Sequence, residues 1–263
     1  MFFDKAETEL AENFEKNGYV VVPIADIEAF QSIQNVFYEF ISKSLQSKKI
    51  DLEFHLNHIH EFVAAETLNE FRLSIIQGLN SVDHFREWYY RIAKPYLEIL
   101  VGNELAMQRR VNLSIQYPND ESSLLPVHAD TWSGDSPFEI VVWVPLVDCF
   151  GTKAMFILPP EPAQNLNKAF AEMKNCDSEK IFQFIEKDIE WIKIEKGKIL
   201  IFNQTLPHGN RVNVEKETRW SMNCRFKGVF TPYADKKLGE FFEPITLRPL
   251  SKIAMNYELP NIP

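Results

Sequence analysis

Arg219-Trp220-Ser221-Met222-Asn223-Cys224-Arg225-Phe226 alternates without a break between polar and apolar side chains. A period of two belongs to a β-strand, whose successive side chains point to opposite faces. Arg219, Ser221, Asn223 and Arg225 therefore share one face, and Trp220, Met222, Cys224 and Phe226 share the other. On an open sheet the polar face would meet water. In a closed barrel the same face points inward and builds a polar chamber, so the fold turns on what surrounds this strand.

Working outward, residues 111–117, 138–147, 153–158, 189–194, 198–203 and 219–230 read as short strands separated by Pro, Gly and Asn punctuation. Pro159-Pro160-Glu161-Pro162 interrupts this run and introduces a helical insertion at about 164–187. The first hundred residues differ in character. They predict a helix over 4–16 ended by Asn17-Gly18, a strand over 19–24, a helix from Asp26 to about Ser47, and helices over 59–79 and 82–100. Helices first and many short strands second predict an α+β fold: a double-stranded β-helix (jelly-roll) core buttressed by N-terminal helices. The expectation is one domain over 1–263, with helical support in 1–104, the jelly roll in 105–233 and a C-terminal tail in 234–263.

With 263 residues, 45% hydrophobic and 25% charged, the chain has ordinary globular composition. Its formal charge of −9 disfavours a nucleic-acid binder, which needs a basic surface. Cys149, Cys176 and Cys224 show no C-x-x-C spacing and read as small buried residues in a reducing compartment. The N-terminus lacks the basic start and apolar run of a signal peptide, and no segment approaches a membrane span. These features predict a soluble, cytoplasmic protein whose partner is a small molecule; oligomeric state is left open.

His128-Ala129-Asp130 is the stretch that carries chemistry. Residues at i and i+2 on extended chain face the same way, so one imidazole and one carboxylate can grip a metal together. His208-Gly209, on a distant segment, supplies a third donor. Two histidines and a carboxylate on one triangular face leave three positions open, the arrangement of mononuclear non-haem iron sites. Arg219, on the polar strand face, offers a bidentate fork for a carboxylate, with the Ser221 hydroxyl beside it. His55, His58 and His60 form a second cluster, read as a solvated loop-to-helix junction because no cysteine or carboxylate pair of ligand spacing accompanies them. Arg109-Arg110 reads as surface charge, and no Walker A loop, G-x-G-x-x-G or G-x-S-x-G motif is present.

Phe14-Glu15-Lys16-Asn17-Gly18-Tyr19-Val20-Val21, His128-Ala129-Asp130 and the run from His208-Gly209-Asn210-Arg211-Val212-Asn213 to Arg219 together give a recognisable pattern. It resembles the phytanoyl-CoA-dioxygenase-like branch of the Fe(II)/2-oxoglutarate-dependent oxygenases, and more narrowly those found in bacterial surface-carbohydrate gene clusters. The resemblance implies His128, Asp130 and His208 as Fe(II) ligands, Arg219 as anchor for the far carboxylate of 2-oxoglutarate, and O2 as second co-substrate. It implies hydroxylation of a small molecule, possible substrates including a sugar or glycan precursor. The intact Asp130 favours hydroxylation over halogenation, since halogenating members carry a small residue there. Gln116 is a candidate to hydrogen-bond the co-substrate and Trp132 to wall the substrate pocket, although each also suits plain packing. One departure is Met155-Phe156-Ile157-Leu158-Pro159-Pro160-Glu161, where relatives often carry a P-G-S-H-like segment and a lid. Two other classes fit the same barrel: a metal-dependent cupin-like sugar isomerase or epimerase that needs no Arg219 anchor, and a non-catalytic binding module.

Overall fold

Aspartates start the first helices. In a computed structural model describing residues 3–170 and 177–260, Asp4 caps α1 (Lys5–Asn17) through a reciprocal capping box with Glu7. Gly18 ends the helix at φ +72°, in the left-handed region that favours glycine. β1 (Tyr19–Pro23) follows, then α2 (Ile27–Ser44), whose first turn is capped by Asp26.

The two long helices expected next are broken. α3 (Leu52–Asn57) forms on an Asp51 cap, and two single 3₁₀ turns, Ile59–Glu61 and Ala65–Thr67, precede α4 (Leu68–Ser81). The stretch 82–100 divides into α5 (Phe85–Arg91) and α6 (Lys94–Leu100), with Pro95 in the first turn of α6. Proline has no amide hydrogen to continue a helix but fits a helix start, which explains the division.

The remaining elements run β2 (Leu105–Gln108), β3 (Asn112–Gln116), β4 (Glu139–Pro145), β5 (Phe156–Ile157), α7 (Pro160–Ala169), α8 (Ser178–Ile185), β6 (Glu190–Trp191), β7 (Lys198–Asn203), β8 (His208–Gly209), β9 (Arg219–Gly228), β10 (Phe242–Pro244) and α9 (Pro249–Met255). The helical insertion is thus two helices and begins at Pro160, and the strands expected at 153–158 and 189–194 shrink to two residues each. Part of the insertion, including Cys176, lies outside the described residues. β2 was not apparent in the sequence, and the tail contributes β10 and α9.

A seven-stranded antiparallel sheet has the order β1-β7-β4-β9-β2-β10, with β3 also on β9, and a second sheet has the order β6-β5-β8. This is a jelly-roll core in an α+β fold. The alternation of β9 divides the molecule. Trp220, Met222, Cys224 and Phe226 pack with Ile140, Val142 and Val144 against Phe30, Ile33, Phe37 and Leu79 of the helical layer. Trp220 is fully buried, edge-on to Phe37 and Phe71, and donates its indole N–H to the Leu56 carbonyl at 2.8 Å. Deleting such a side chain costs about 3–5 kcal/mol. The opposite faces of β4 and β7 contribute Val141, Trp143, Leu200 and Phe202 to a second core shared with Phe156, Leu166 and Phe182. No helix among the described residues is long and apolar enough to cross a membrane.

Candidate functional site

His128 and His208 face each other across a two-way backbone bridge, with each amide donating to the other's carbonyl at 3.0 and 2.8 Å. Ala129 is extended and Asp130 opens a 3₁₀ turn to Ser133, held by its amide on the Gln204 carbonyl at 3.1 Å. The i, i+2 expectation therefore holds through a bridge and a turn rather than a regular strand. Nδ1 of each imidazole meets the carbonyl two residues back, Pro126 at 2.8 Å and Leu206 at 2.9 Å. In the tautomer that donates there, such a bond fixes the ring and leaves Nε2 free to accept a metal ion. The rings are 4.3 Å apart, His128 Nε2 lies 3.7 Å from Asp130 Oδ1, and donor atoms of all three residues fall within 4.8 Å of one another.

Burial and the neighbouring His128 push the His208 imidazole down to about 4, so it is neutral and ready to ligate. Burial works to raise the Asp130 carboxyl, but Arg225 foremost, with the two histidines, outweighs it and holds the group below the usual carboxylate value.

The site opens into a cavity of about 280 Å³ between the two sheets. β3 and β9 pair in the register Gln116↔Arg219, Ser114↔Ser221 and Asn112↔Asn223, which places their polar side chains side by side on one face. Asn112, Ser114, Arg219, Ser221, Asn223 and Arg225 all line the cavity, opposite His208 and Met155 and beside Val141, Trp143 and Phe202. Arg219 is 4% exposed, and among the described residues no carboxylate comes within ion-pair distance. It makes two long bonds, to Ser114 Oγ at 3.2 Å and the Ala154 carbonyl at 3.4 Å. Its Nε and the Ser221 hydroxyl are buried without a protein partner. Burial pushes the guanidinium down to about 10. Buried charge without a counter-charge is costly, so this end of the cavity fits an anion.

The sequence put Arg225 on the same face but gave it no task. Its Nη2 is 2.8 Å from Asp130 Oδ1 and its Nε is 3.4 Å from Asp135 Oδ1 and 3.1 Å from Gln204 Oε1. Lys236 closes the network on Asp135 at 2.6 Å. Arg225 thus orients the carboxylate of the triad.

No family model matches the chain, and no curated protein matches it in sequence. Solved structures do match in shape. The non-heme alpha ketoglutarate dependent carbocyclase SnoK from nogalamycin biosynthesis superposes with a TM-score of 0.57 at 15% identity, over 93% of this chain and 97% of that one. EctD from S. alaskensis with bound Fe gives 0.55 at 14% identity, over 89% and 81%. The non-heme monooxygenase ThoJ, as its Ni complex, gives 0.52 at 17% identity, over 89% and 82%. The chain shares their fold.

Two candidates from the sequence do not reach the cavity wall. Gln116 is fully buried across from Arg219 on the paired strand, its amide nitrogen donating to the Arg211 carbonyl at 2.6 Å and its Oε1 without a partner among the described residues. Trp132 is 36% exposed and packs on Phe170 at 4.7 Å. Cys149 and Cys224 are buried free thiols, each pushed up to about 12 by burial. They are inert packing residues.

Proposed function

We propose that the protein is an Fe(II)/2-oxoglutarate-dependent oxygenase that hydroxylates a small polar molecule. The observation that carries this reading is the buried, carboxylate-free Arg219 in the same cavity as His128, Asp130 and His208. Two imidazoles and a carboxylate suit Fe(II) and leave positions for co-substrates. The solved structures sharing the fold include an iron-bound EctD and HygX from Streptomyces hygroscopicus with nickel and 2-oxoglutarate bound, the latter at a TM-score of 0.51 and 10% identity.

On this reading His128, His208 and Asp130 hold the metal, and Arg219 with Ser221 grips the distal carboxylate of 2-oxoglutarate. The metal with 2-oxoglutarate and O2 supplies the oxidant, giving succinate and CO2 as co-products. Val141, Trp143, Met155 and Phe202 keep water from the cavity, and Arg225 holds Asp130 in place. The inner cavity is small for a ligand pocket and suits the co-substrate. A neighbouring chamber of about 530 Å³ shares Asn112, Ser114, Leu125 and Asn223 with it and adds Asn69, Arg72, Ser122 and Ser123. The primary substrate binds there. Amides and hydroxyls in that wall favour a hydroxylated molecule, so a sugar or glycan precursor processed in the cytoplasm, within a phytanoyl-CoA-dioxygenase-like branch, is the finer proposal.

Anaerobic Fe(II) titration with and without 2-oxoglutarate tests the class. The expected result is a weak visible charge-transfer band that needs both components and fades in Arg219→Ala at limiting 2-oxoglutarate. Iron binding without such a band would instead support an isomerase-like enzyme, and absence of iron binding a non-catalytic module.

A further inference from the structure

We propose that His58, His60 and Glu61 form a second, separate transition-metal site, in a turn tied by hydrogen bonds to the strand carrying Arg219. The inference rests on a juxtaposition that sequence spacing did not reveal. Donor atoms of the three side chains lie within 4.8 Å of one another, as do those of the His128 triad. The Ile59–Glu61 3₁₀ turn creates this closeness: its i, i+3 hydrogen bonds stack His58 over Glu61, and fully buried Ile59 pins it. The junction read from the sequence as solvated histidines is therefore a two-imidazole, one-carboxylate cluster.

Each ring is held from outside the cluster. His60 Nδ1 is 2.8 Å from the Thr218 hydroxyl, and in the tautomer that donates there Nε2 is the free ligand atom. His58 is stacked on Phe54 with centroids 4.5 Å apart, and its Nδ1 is 3.1 Å from Glu61 Oε1. The histidines are half-buried and Glu61 is exposed, so an ion reaches them without unfolding. Beyond His60, at 6.0 Å between rings, Tyr117 is buried with a hydroxyl that lacks a protein partner. Imidazole and carboxylate donors in this ratio suit Zn2+, Co2+ or Ni2+, whereas Mg2+ and Ca2+ prefer all-oxygen sets.

The surroundings give the site a purpose. The segment Leu56–His60 is stapled to the start of β9 at two further points and to Lys153 at a third. Thr218 N–H donates to the Asn57 carbonyl at 2.7 Å, Trp220 Nε1 to Leu56 at 2.8 Å, and Lys153 Nζ to Asn57 Oδ1 at 2.7 Å. A metal on the cluster fixes the turn that carries His60, and with it the His60–Thr218 bond next to Arg219. It stabilises the folded chain because unfolded chain does not hold these donors together.

The test uses the full chain stripped of metal, with Zn(II) counted by elemental analysis after desalting and Co(II) followed by visible absorption. Wild type is expected to bind two equivalents, His128→Ala one, and His58→Gln one. His128→Ala with His58→Gln should bind none. In the His128→Ala background Zn(II) should raise the Tm, and Glu61→Gln, an exposed change that leaves the fold intact, should remove most of that rise. An unchanged stoichiometry in His58→Gln, a His128→Ala protein that binds nothing, or binding seen only at millimolar Zn(II) would overturn the proposal. Because the His128→Ala arm reads this cluster alone, failure of the oxygenase reading would leave its result intact.

Discussion

Arg219 and Arg225 lie six residues apart on one face of one strand and line the same cavity, yet their surroundings are opposite. Arg225 has its counter-charges built in, Asp130 at 2.8 Å and Asp135 at 3.4 Å. Arg219 has none among the described residues, and two of the buried polar atoms without partners are its own Nε and the hydroxyl of its neighbour Ser221. A protein that can pair one buried guanidinium with two carboxylates has no structural need to leave the other bare. The difference teaches that Arg225 belongs to the architecture of the site and Arg219 to a ligand.

The most severe way to break the comparison removes what the two arginines serve. Asp130→Ala takes a metal ligand and a partner of Arg225 together, and is expected to abolish both Fe(II) binding and 2-oxoglutarate turnover, measured by succinate release. Arg225→Met comes next. It strands Asp130 in a buried setting and leaves Asp135 to Lys236 alone, and should cost about 3–5 kcal/mol in urea unfolding of the metal-free protein. Arg219→Met should do the reverse: metal-free stability unchanged or higher, since a bare buried charge is removed, with the KM for 2-oxoglutarate raised by about 30-fold or more. If Arg219→Met destabilised the metal-free chain as much as Arg225→Met, the contrast between the two sites would be false.

The sequence made one half of this contrast legible. Period-two alternation along β9 depends only on neighbouring residues, so the shared face of Arg219, Ser221, Asn223 and Arg225 was readable. The partners of Arg225 were not, because Asp130, Asp135 and Gln204 arrive from two loops that the pairing of β4 with β9 and β7, and the bridge between His128 and His208, bring to β9. The same limit hid the closeness of His58, His60 and Glu61, which depends on a turn geometry rather than a strand or α-helix period. Gln116 follows the same parity and pairs with Arg219, but its amide is drawn to the Arg211 carbonyl, a partner from a distant loop. Helix starts are legible at the caps Asp4 and Asp26, but the start at Asp51 is not, and across 59–79 apolar periodicity runs through two 3₁₀ turns.

pH sharpens the comparison from the metal side. His208 is held at about 4 in the folded chain against 6.5 as an ordinary imidazole. Between those values the unfolded chain binds the proton and the folded one does not. The stability this group contributes is therefore complete above about pH 6.5 and is lost as pH falls toward 4, on the order of 1–3 kcal/mol. Urea unfolding across that window should show the slope in wild type and a flatter one in His208→Asn, which isolates it from the other carboxylates titrating nearby.

The smallest expected effect belongs to Gln116, and it bears on where the anion site ends. Gln116→Leu removes one hydrogen bond to the Arg211 carbonyl and also one buried, unpartnered oxygen. These changes oppose each other, so stability should move by no more than about 1 kcal/mol. Because Gln116 pairs with Arg219 but is turned to the Arg211 carbonyl and does not line the cavity, the KM for 2-oxoglutarate should stay at the wild-type value. Ser221→Ala, with its hydroxyl buried in the wall, should raise it. A rise in Gln116→Leu with none in Ser221→Ala would shift the carboxylate site from the Ser114–Ser221 pair to the Gln116–Arg219 pair.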